Sequence, residues 1–257
     1  MEPVFRALEI AAGVAVRATA TQIGHRDLQN IPATGGAVIA INHTGYVDFL
    51  PAALAVKELG RRLRFMIKAE MQDVKVVNFL IKHSKTIPVD RQAGAGAYAV
   101  AVQRLREGEL VGVYPEATIS RSFELKEFKT GAARMALEAR VPIVPLVVWG
   151  AHRLWTKDHP RNLGRKRIPV TVAAGPALPP AGAPEELMGR LREEMTALLH
   201  EVQESYDHPG GAHWVPHRLG GSAPTMEEAR VREEAELAAR AKGRANDRAV
   251  DEDSENR

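Results

Sequence analysis

The 257-residue chain contains no cysteine. Disulfide scaffolds, thiolate zinc sites, iron–sulfur clusters and cysteine nucleophiles are thereby excluded. Aromatic residues are scarce, at 5%. No basic stretch is interleaved with stacking rings, so a nucleic-acid partner is not expected. Long hydrophobic runs are missing as well. The longest uncharged stretch, Leu28 to Val47, carries Pro32, Gly35, Gly36, Asn42 and His43, a mixture no bilayer-spanning helix tolerates. Glu9 interrupts the only apolar run near the N-terminus, so no cleaved secretion signal is expected and the cytoplasmic side is the default.

What is present is a chain 45% apolar and 26% charged, ample for a continuous core. Its net charge of +3 is unevenly spread. From Gly221 onward there are seven Lys/Arg and ten Asp/Glu, leaving 28 basic and 22 acidic residues before it. The first 220 residues are therefore moderately basic and suited to an anionic partner, phosphate or lipid.

Residues 3–20 read as one helix with few charges and a broad apolar side, either packed on the domain or lying in a membrane interface. Short β-rich runs then alternate with helical stretches. The runs are 37–42, 63–68, 86–89, 110–115, 143–150 and 169–175; the helices are 49–60, 71–83, 95–107, 129–139 and 184–206. Alternation of this kind predicts an α/β fold, a mostly parallel central sheet flanked by helices. It carries an N-terminal amphipathic helical segment and a flexible acidic C-terminal tail. The expected divisions are 1–24 for the N-terminal segment, 25–220 for the main domain and 221–257 for the charged, partly disordered tail.

In parallel sheets ligands sit beyond the carboxyl ends of the strands, where this chain places its unusual residues. Asn42-His43-Thr44-Gly45-Tyr46-Val47-Asp48 follows the first of these strands. A histidine accepts protons near neutral pH, and a carboxylate five residues on can fold back to fix its tautomer. Asp48 also stands where it can cap the following helix. Taken alone, the pair also fits a packed loop histidine and a plain N-cap. Tyr114-Pro115-Glu116-Ala117-Thr118-Ile119-Ser120-Arg121 follows a later strand and offers hydroxyls, a carboxylate and a guanidinium to a polyhydroxy or phosphorylated group. No third ligand lies at metal spacing near His43, so no metal is expected.

Together these blocks resemble the glycerolipid acyltransferase family, the PlsC-type 1-acylglycerol-3-phosphate acyltransferases and their relatives. The His-x4-Asp segment is similar to the family's first block. Lys68-Ala69-Glu70 resembles its Lys-x-Glu, Ile87 to Arg91 its second block, Tyr114 to Ser120 its Phe-Pro-Glu-Gly-Thr-Arg-Ser block, and Val141 to Pro145 its fourth. The resemblance implies transfer of a fatty acyl chain from a thioester, acyl-CoA or acyl carrier protein, to the free hydroxyl of 1-acylglycerol-3-phosphate. It further implies His43 as general base oriented by Asp48, no acyl-enzyme, no cofactor beyond the co-substrate, and oxyanion stabilisation by backbone N–H groups of the two loops.

By the same resemblance Glu116 and Thr118 organise the acceptor pocket, and Lys68 and Arg91 contact phosphate. The sequence departs from the family pattern at two positions, with Ala117 where the family has glycine and Ile119 where it has the phosphate-binding arginine. Arg121, two residues on, is the candidate replacement. Ile119 also keeps other acceptors in play, glycerol-3-phosphate or a lyso- or glycosylated phosphoinositide; a further alternative is a non-catalytic lipid-binding relative. A basic cluster, Arg153, Lys157, Arg161, Arg165, Lys166 and Arg167 beside Trp149 and Trp155, reads as a rim for an anionic membrane or for CoA phosphates. A peripheral location on the cytoplasmic face of the plasma membrane is the corresponding expectation.

Overall fold

In the computed structural model, residues 3–68, 86–89 and 95–239 are described. The chain divides into two compact units, Met1–Ile119 with Leu125–Asp207, and Ser120–Glu124 with His208–Arg257. The break from the first unit thus falls at 208 rather than at 221, and a five-residue piece that begins in the Tyr114–Arg121 block belongs to the second unit.

The first unit holds helix α1 (Pro3–Thr19), strands β1 (Gln22–Arg26) and β2 (Ala37–Ile41), α2 (Phe49–Glu58), β3 (Leu63–Lys68) and β4 (Ile87–Val89). These are followed by α3 (Ala95–Arg106), β5 (Leu110–Val113), α4 (Gly131–Ala139), β6 (Ile143–Trp149), β7 (Pro169–Ala174) and α5 (Pro184–Glu204). Seven strands form one sheet in the order β1-β7-β6-β2-β5-β3-β4. Every neighbouring pair is parallel except β6–β7, so five parallel strands are joined to a reversed pair. The mostly parallel sheet is as expected. The reversed β7 and the whole of β1 are not legible in the sequence. QIGHR has neither an apolar run nor a clean alternation, and its pairing with β7 far along the chain is a tertiary event. The sheet therefore begins at Gln22, inside the segment expected to be only helical. The helix expected over 71–83 lies outside the described residues.

Strands β2, β5 and β6 are buried along their whole length, which is why they read as continuous apolar runs rather than as alternations. One face of β2 and β6, with Ile39, Ile41, Leu146 and Val148, packs on Ala52, Ala55 and Val56 of α2. Alternate residues such as Val38 and Ala40 point to the opposite face, where α4 and α5 lie against β2 and β6 and α3 against β5. Each fully buried aliphatic side chain of this kind contributes roughly 1.5–3 kcal/mol relative to exposure. At the amino end of the sheet Arg61 donates to the carbonyls of Pro32, Gly35 and Gly108, tying three turns together. The buried Arg64 meets Glu109 through two hydrogen bonds.

Helix α1 packs near β3 through Phe5, with the Arg62 and Arg64 guanidinium groups 4.9 and 5.1 Å from its ring centroid. Ile10 and Val14 are exposed on its outer side. In the second unit a helix runs over 226–239, inside the stretch expected to be a flexible charged tail. None of the helices among the described residues is long and apolar enough to cross a membrane.

Candidate functional site

The site forms where β2 and β5 end side by side. Their register pairs Ala40 with Val113, so continuing each strand by three residues brings His43 opposite Glu116. The chain makes that contact directly, the His43 backbone N–H donating to Glu116 Oε1 at 2.8 Å. One residue earlier, the buried Asn42 side chain imitates a peptide group. Its Nδ2 donates to the Val148 carbonyl and its Oδ1 accepts from the Val148 N–H, at 3.1 and 2.7 Å. The β2–β6 ladder is thereby satisfied while the main chain turns away to carry His43.

Asp48 is fully buried, and its Oδ2 gathers three donors. The Thr44 and Gly45 N–H groups lie at 2.8 and 2.7 Å and His43 Nδ1 at 3.2 Å. An ionised carboxylate only accepts, so the shared proton sits on Nδ1 and Nε2 is left as the acceptor. Asp48 stands at the N-terminus of α2 as expected, but it makes no side-chain cap bond. Its Oδ2 is turned back into the loop, and its Oδ1 is buried with no hydrogen-bond partner. Tyr114 stacks on the imidazole at 4.0 Å and 23°, fixing the ring plane. Burial, then the nearby Asp48 charge, pushes the Tyr114 phenol well above its usual range, so that it stays neutral.

The loop is held from outside by the segment after β6. Tyr46 N–H donates to the Trp155 carbonyl at 3.0 Å, and the buried Thr156 hydroxyl donates to the Thr44 carbonyl at 2.7 Å. A Cβ on Gly45 would stand 2.8 Å from the Trp155 oxygen and 2.9 Å from His152 Cα, so only glycine allows this approach.

Glu116 is buried, and both its oxygens are occupied by backbone donors, His43 on Oε1 and Lys126 on Oε2 at 3.0 Å. Burial, the largest influence, pushes its carboxyl up to about 7, against the opposing pull of the two N–H groups. Thr118 accepts a hydrogen bond from the Lys126 ammonium. Glu116 and Thr118 are thus brought to His43 by one strand end and pinned by Lys126, a residue that no sequence pattern singled out. Thr156 gave no signal either.

Of the remaining expected site residues, Lys68 ends β3 opposite Val89, while Glu70 and Arg91 lie outside the described residues. Ile119, standing where the family has arginine, is buried. Arg121 belongs to the second unit, where its guanidinium donates to Glu236 Oε2 at 2.8 Å. Ala117 takes φ +62°, a left-handed conformation natural to the glycine that the family pattern carries there. The expectation that the two loops supply oxyanion donors meets a constraint. The N–H groups of His43, Thr44, Gly45, Tyr46 and Ala117 already have intramolecular acceptors. Trp149, expected beside the basic rim, is fully buried. Among the described residues no cluster of three or more His, Asp or Glu could hold a metal ion.

A histidine whose Nδ1 is held by a buried carboxylate, at the carboxyl end of a parallel sheet, has the geometry that general-base chemistry requires. An acyltransferase family model matches residues 22–149, about half of the chain and all of the segment that builds this site up to Trp149. A 1-acyl-sn-glycerol-3-phosphate acyltransferase of Bacillus subtilis is 34% identical over 123 residues, 48% of this chain and 60% of that protein. One of Borreliella burgdorferi is 26% identical over 139 residues, 53% of this chain and 54% of that protein. The chain thus spans only 54–60% of the length of these two curated relatives. The crystal structure of the 1-acyl-sn-glycerophosphate acyltransferase PlsC from Thermotoga maritima superposes with a TM-score of 0.66, at 20% identity, over 79% of this chain and 81% of that one, and shows the same fold. The chain belongs to the acyltransferase family.

Proposed function

We propose that this protein transfers a fatty acyl chain from an acyl thioester to the free hydroxyl of 1-acylglycerol-3-phosphate, forming phosphatidic acid. The observation that carries the reading is the His43–Asp48 pair, with Nδ1 held at 3.2 Å by a fully buried carboxylate and Nε2 left to accept a proton. His43 Nε2 removes the hydroxyl proton as the oxygen attacks the thioester carbonyl carbon. The tetrahedral intermediate collapses, the C–S bond breaks, and the thiolate leaves with the proton returned from the imidazolium. Asp48 stays ionised throughout and stabilises the imidazolium. Glu116 and Thr118 shape the acceptor side of the pocket by fixing the loops around His43. Lys68, Arg91 and Arg121 are the cations offered for the acceptor phosphate. The acceptor is a membrane lipid, so the protein works peripherally, at the cytoplasmic face of the plasma membrane.

A second acceptor is kept in view by one observation. Ile119 is buried where the family carries its phosphate-binding arginine, and Arg121 is already paired with Glu236. Glycerol-3-phosphate or a lyso- or glycosylated phosphoinositide is the corresponding alternative. Thiol release from palmitoyl-CoA, read with a colour reagent to which this cysteine-free chain adds no background, separates the readings. Turnover with 1-acylglycerol-3-phosphate, reduced about 10³-fold in His43→Ala, is the expected result. Turnover only with another acceptor would overturn the substrate assignment, and full activity in His43→Ala would overturn the mechanism.

A further inference from the structure

We infer that Tyr46, Phe49, Trp155 and the loop over 161–167 form one face that seats the protein on an anionic lipid bilayer, with the catalytic loop at its centre. The inference rests on the lipid acceptor proposed above and goes beyond it by naming the surface. Tyr46 lies inside the His43–Asp48 loop and is 43% exposed, its ring 4.7 Å from that of Trp155. The Arg161 guanidinium lies over the same indole, 4.0 Å from the Trp155 ring centroid. Phe49, three residues beyond Tyr46, is 45% exposed, and Leu163, two residues beyond Arg161, is 52% exposed. These are the large apolar side chains that a water-facing loop around a polar active site would not be expected to present.

Charge and apolarity coincide here. Arg161, Arg165, Lys166 and Arg167 are exposed, and no Asp or Glu occurs from His159 to Pro184. An acidic protein partner would answer the cations and leave the exposed rings and Leu163 unmatched. A bilayer interface answers both at once, because anionic headgroups take the guanidinium and ammonium groups while tyrosine, tryptophan and leucine settle at the headgroup–acyl boundary. The buried Trp149 takes no part, and the aromatic share falls to Tyr46 and Trp155. Because Tyr46 is three residues from His43 and two from Asp48, the contact that docks the protein also sets the depth of the general base. A lysolipid's free hydroxyl lies at that depth.

The test is co-sedimentation of the full chain with phosphatidylcholine vesicles, with and without phosphatidylglycerol, at low and high salt. The variants are the triple substitution Arg165→Gln, Lys166→Gln, Arg167→Gln, and separately Leu163→Ser. All lie outside the catalytic machinery, and thermal melting confirms that each variant is folded. Wild type is expected to bind the anionic vesicles and to be released by salt. The triple variant should lose about a hundredfold in partition, at about fivefold per charge. Leu163→Ser should lose about tenfold. Turnover of a water-soluble short-chain lysophosphatidate should stay unchanged in Leu163→Ser.

Equal binding to neutral vesicles, no binding by wild type, or full binding by the triple variant would each overturn the proposal. So would a triple variant that keeps its vesicle partition but loses turnover only with a carrier-protein donor, which would assign the cations to an acidic protein. Vesicle binding that holds while no lysophosphatidate turns over would refute the acceptor and leave the docking face standing.

Discussion

Glu116 ties the His43 backbone to the second loop, and its energetics can be isolated with one isosteric change. The carboxyl is buried against the His43 and Lys126 N–H groups and held up to about 7, where an ordinary glutamate titrates at 4.5. The folded chain therefore holds this proton more tightly than the unfolded chain does. The stability linked to it is full below 4.5 and is lost as pH rises through 7, amounting to about 3 kcal/mol across that window at 1.36 kcal/mol per factor of ten. The side chain introduced by Glu116→Gln cannot titrate. Its amide also turns an NH₂ toward one of the two backbone donors, which costs about 1–3 kcal/mol at every pH. The unfolding free energy of wild type minus that of the variant, from urea titrations at several pH values, should therefore fall by about 3 kcal/mol between acid and mildly alkaline solution. Other titrating groups cancel in this difference. A difference that stays constant with pH, or that grows as pH rises, would refute the assignment of a proton to this buried carboxyl.

The other predictions bear on the same loops. Asp48→Asn removes the acceptor that fixes the His43 tautomer, and kcat should fall about 10²–10⁴-fold with the circular dichroism spectrum retained; a kcat within a few-fold of wild type would contradict an orienting role. Gly45→Ala would drive a Cβ into backbone atoms of Trp155 and His152, at a cost of about 1–3 kcal/mol in urea unfolding, and turnover should drop with it because the displaced loop carries His43. Ala117→Gly should release about 1–2 kcal/mol of left-handed strain against an entropic loss of roughly 0.5–1 kcal/mol. The net gain, up to about 1.5 kcal/mol, should raise Tm by as much as about 6 °C, and a lower Tm would show that the alanine is accommodated without strain.

The sequence carried the parallel half of the sheet because β2, β5 and β6 are buried on both faces and so consist almost entirely of apolar residues. It carried the dyad because histidine and carboxylate stand five residues apart after a strand, a separation that a glycine-containing loop can close. β1 was missed because QIGHR has no β signal of its own: Gln22–Arg26 becomes a strand only by lying against β7. The reversal of β7 was hidden for a related reason, since a strand's direction is set by the path of the connection before it and leaves no mark on its composition.

The sequence by itself thus determined the fold class, the family blocks and the pairing of His43 with Asp48. Each of these rests on residues close together in the chain, where burial pattern and spacing are local properties. Only the tertiary structure decided what holds them. It turned Asp48 away from the helix it precedes and into the Thr44 and Gly45 N–H groups, and it spent Glu116 on the backbone of His43 and Lys126. It buried Ile119 and Trp149 while leaving Tyr46 and Phe49 at the surface. Those outcomes depend on which strand ends lie side by side and which hydrogen-bond donors are left there without a partner, and contacts across 73 or 106 residues of chain are not written in any short stretch of it.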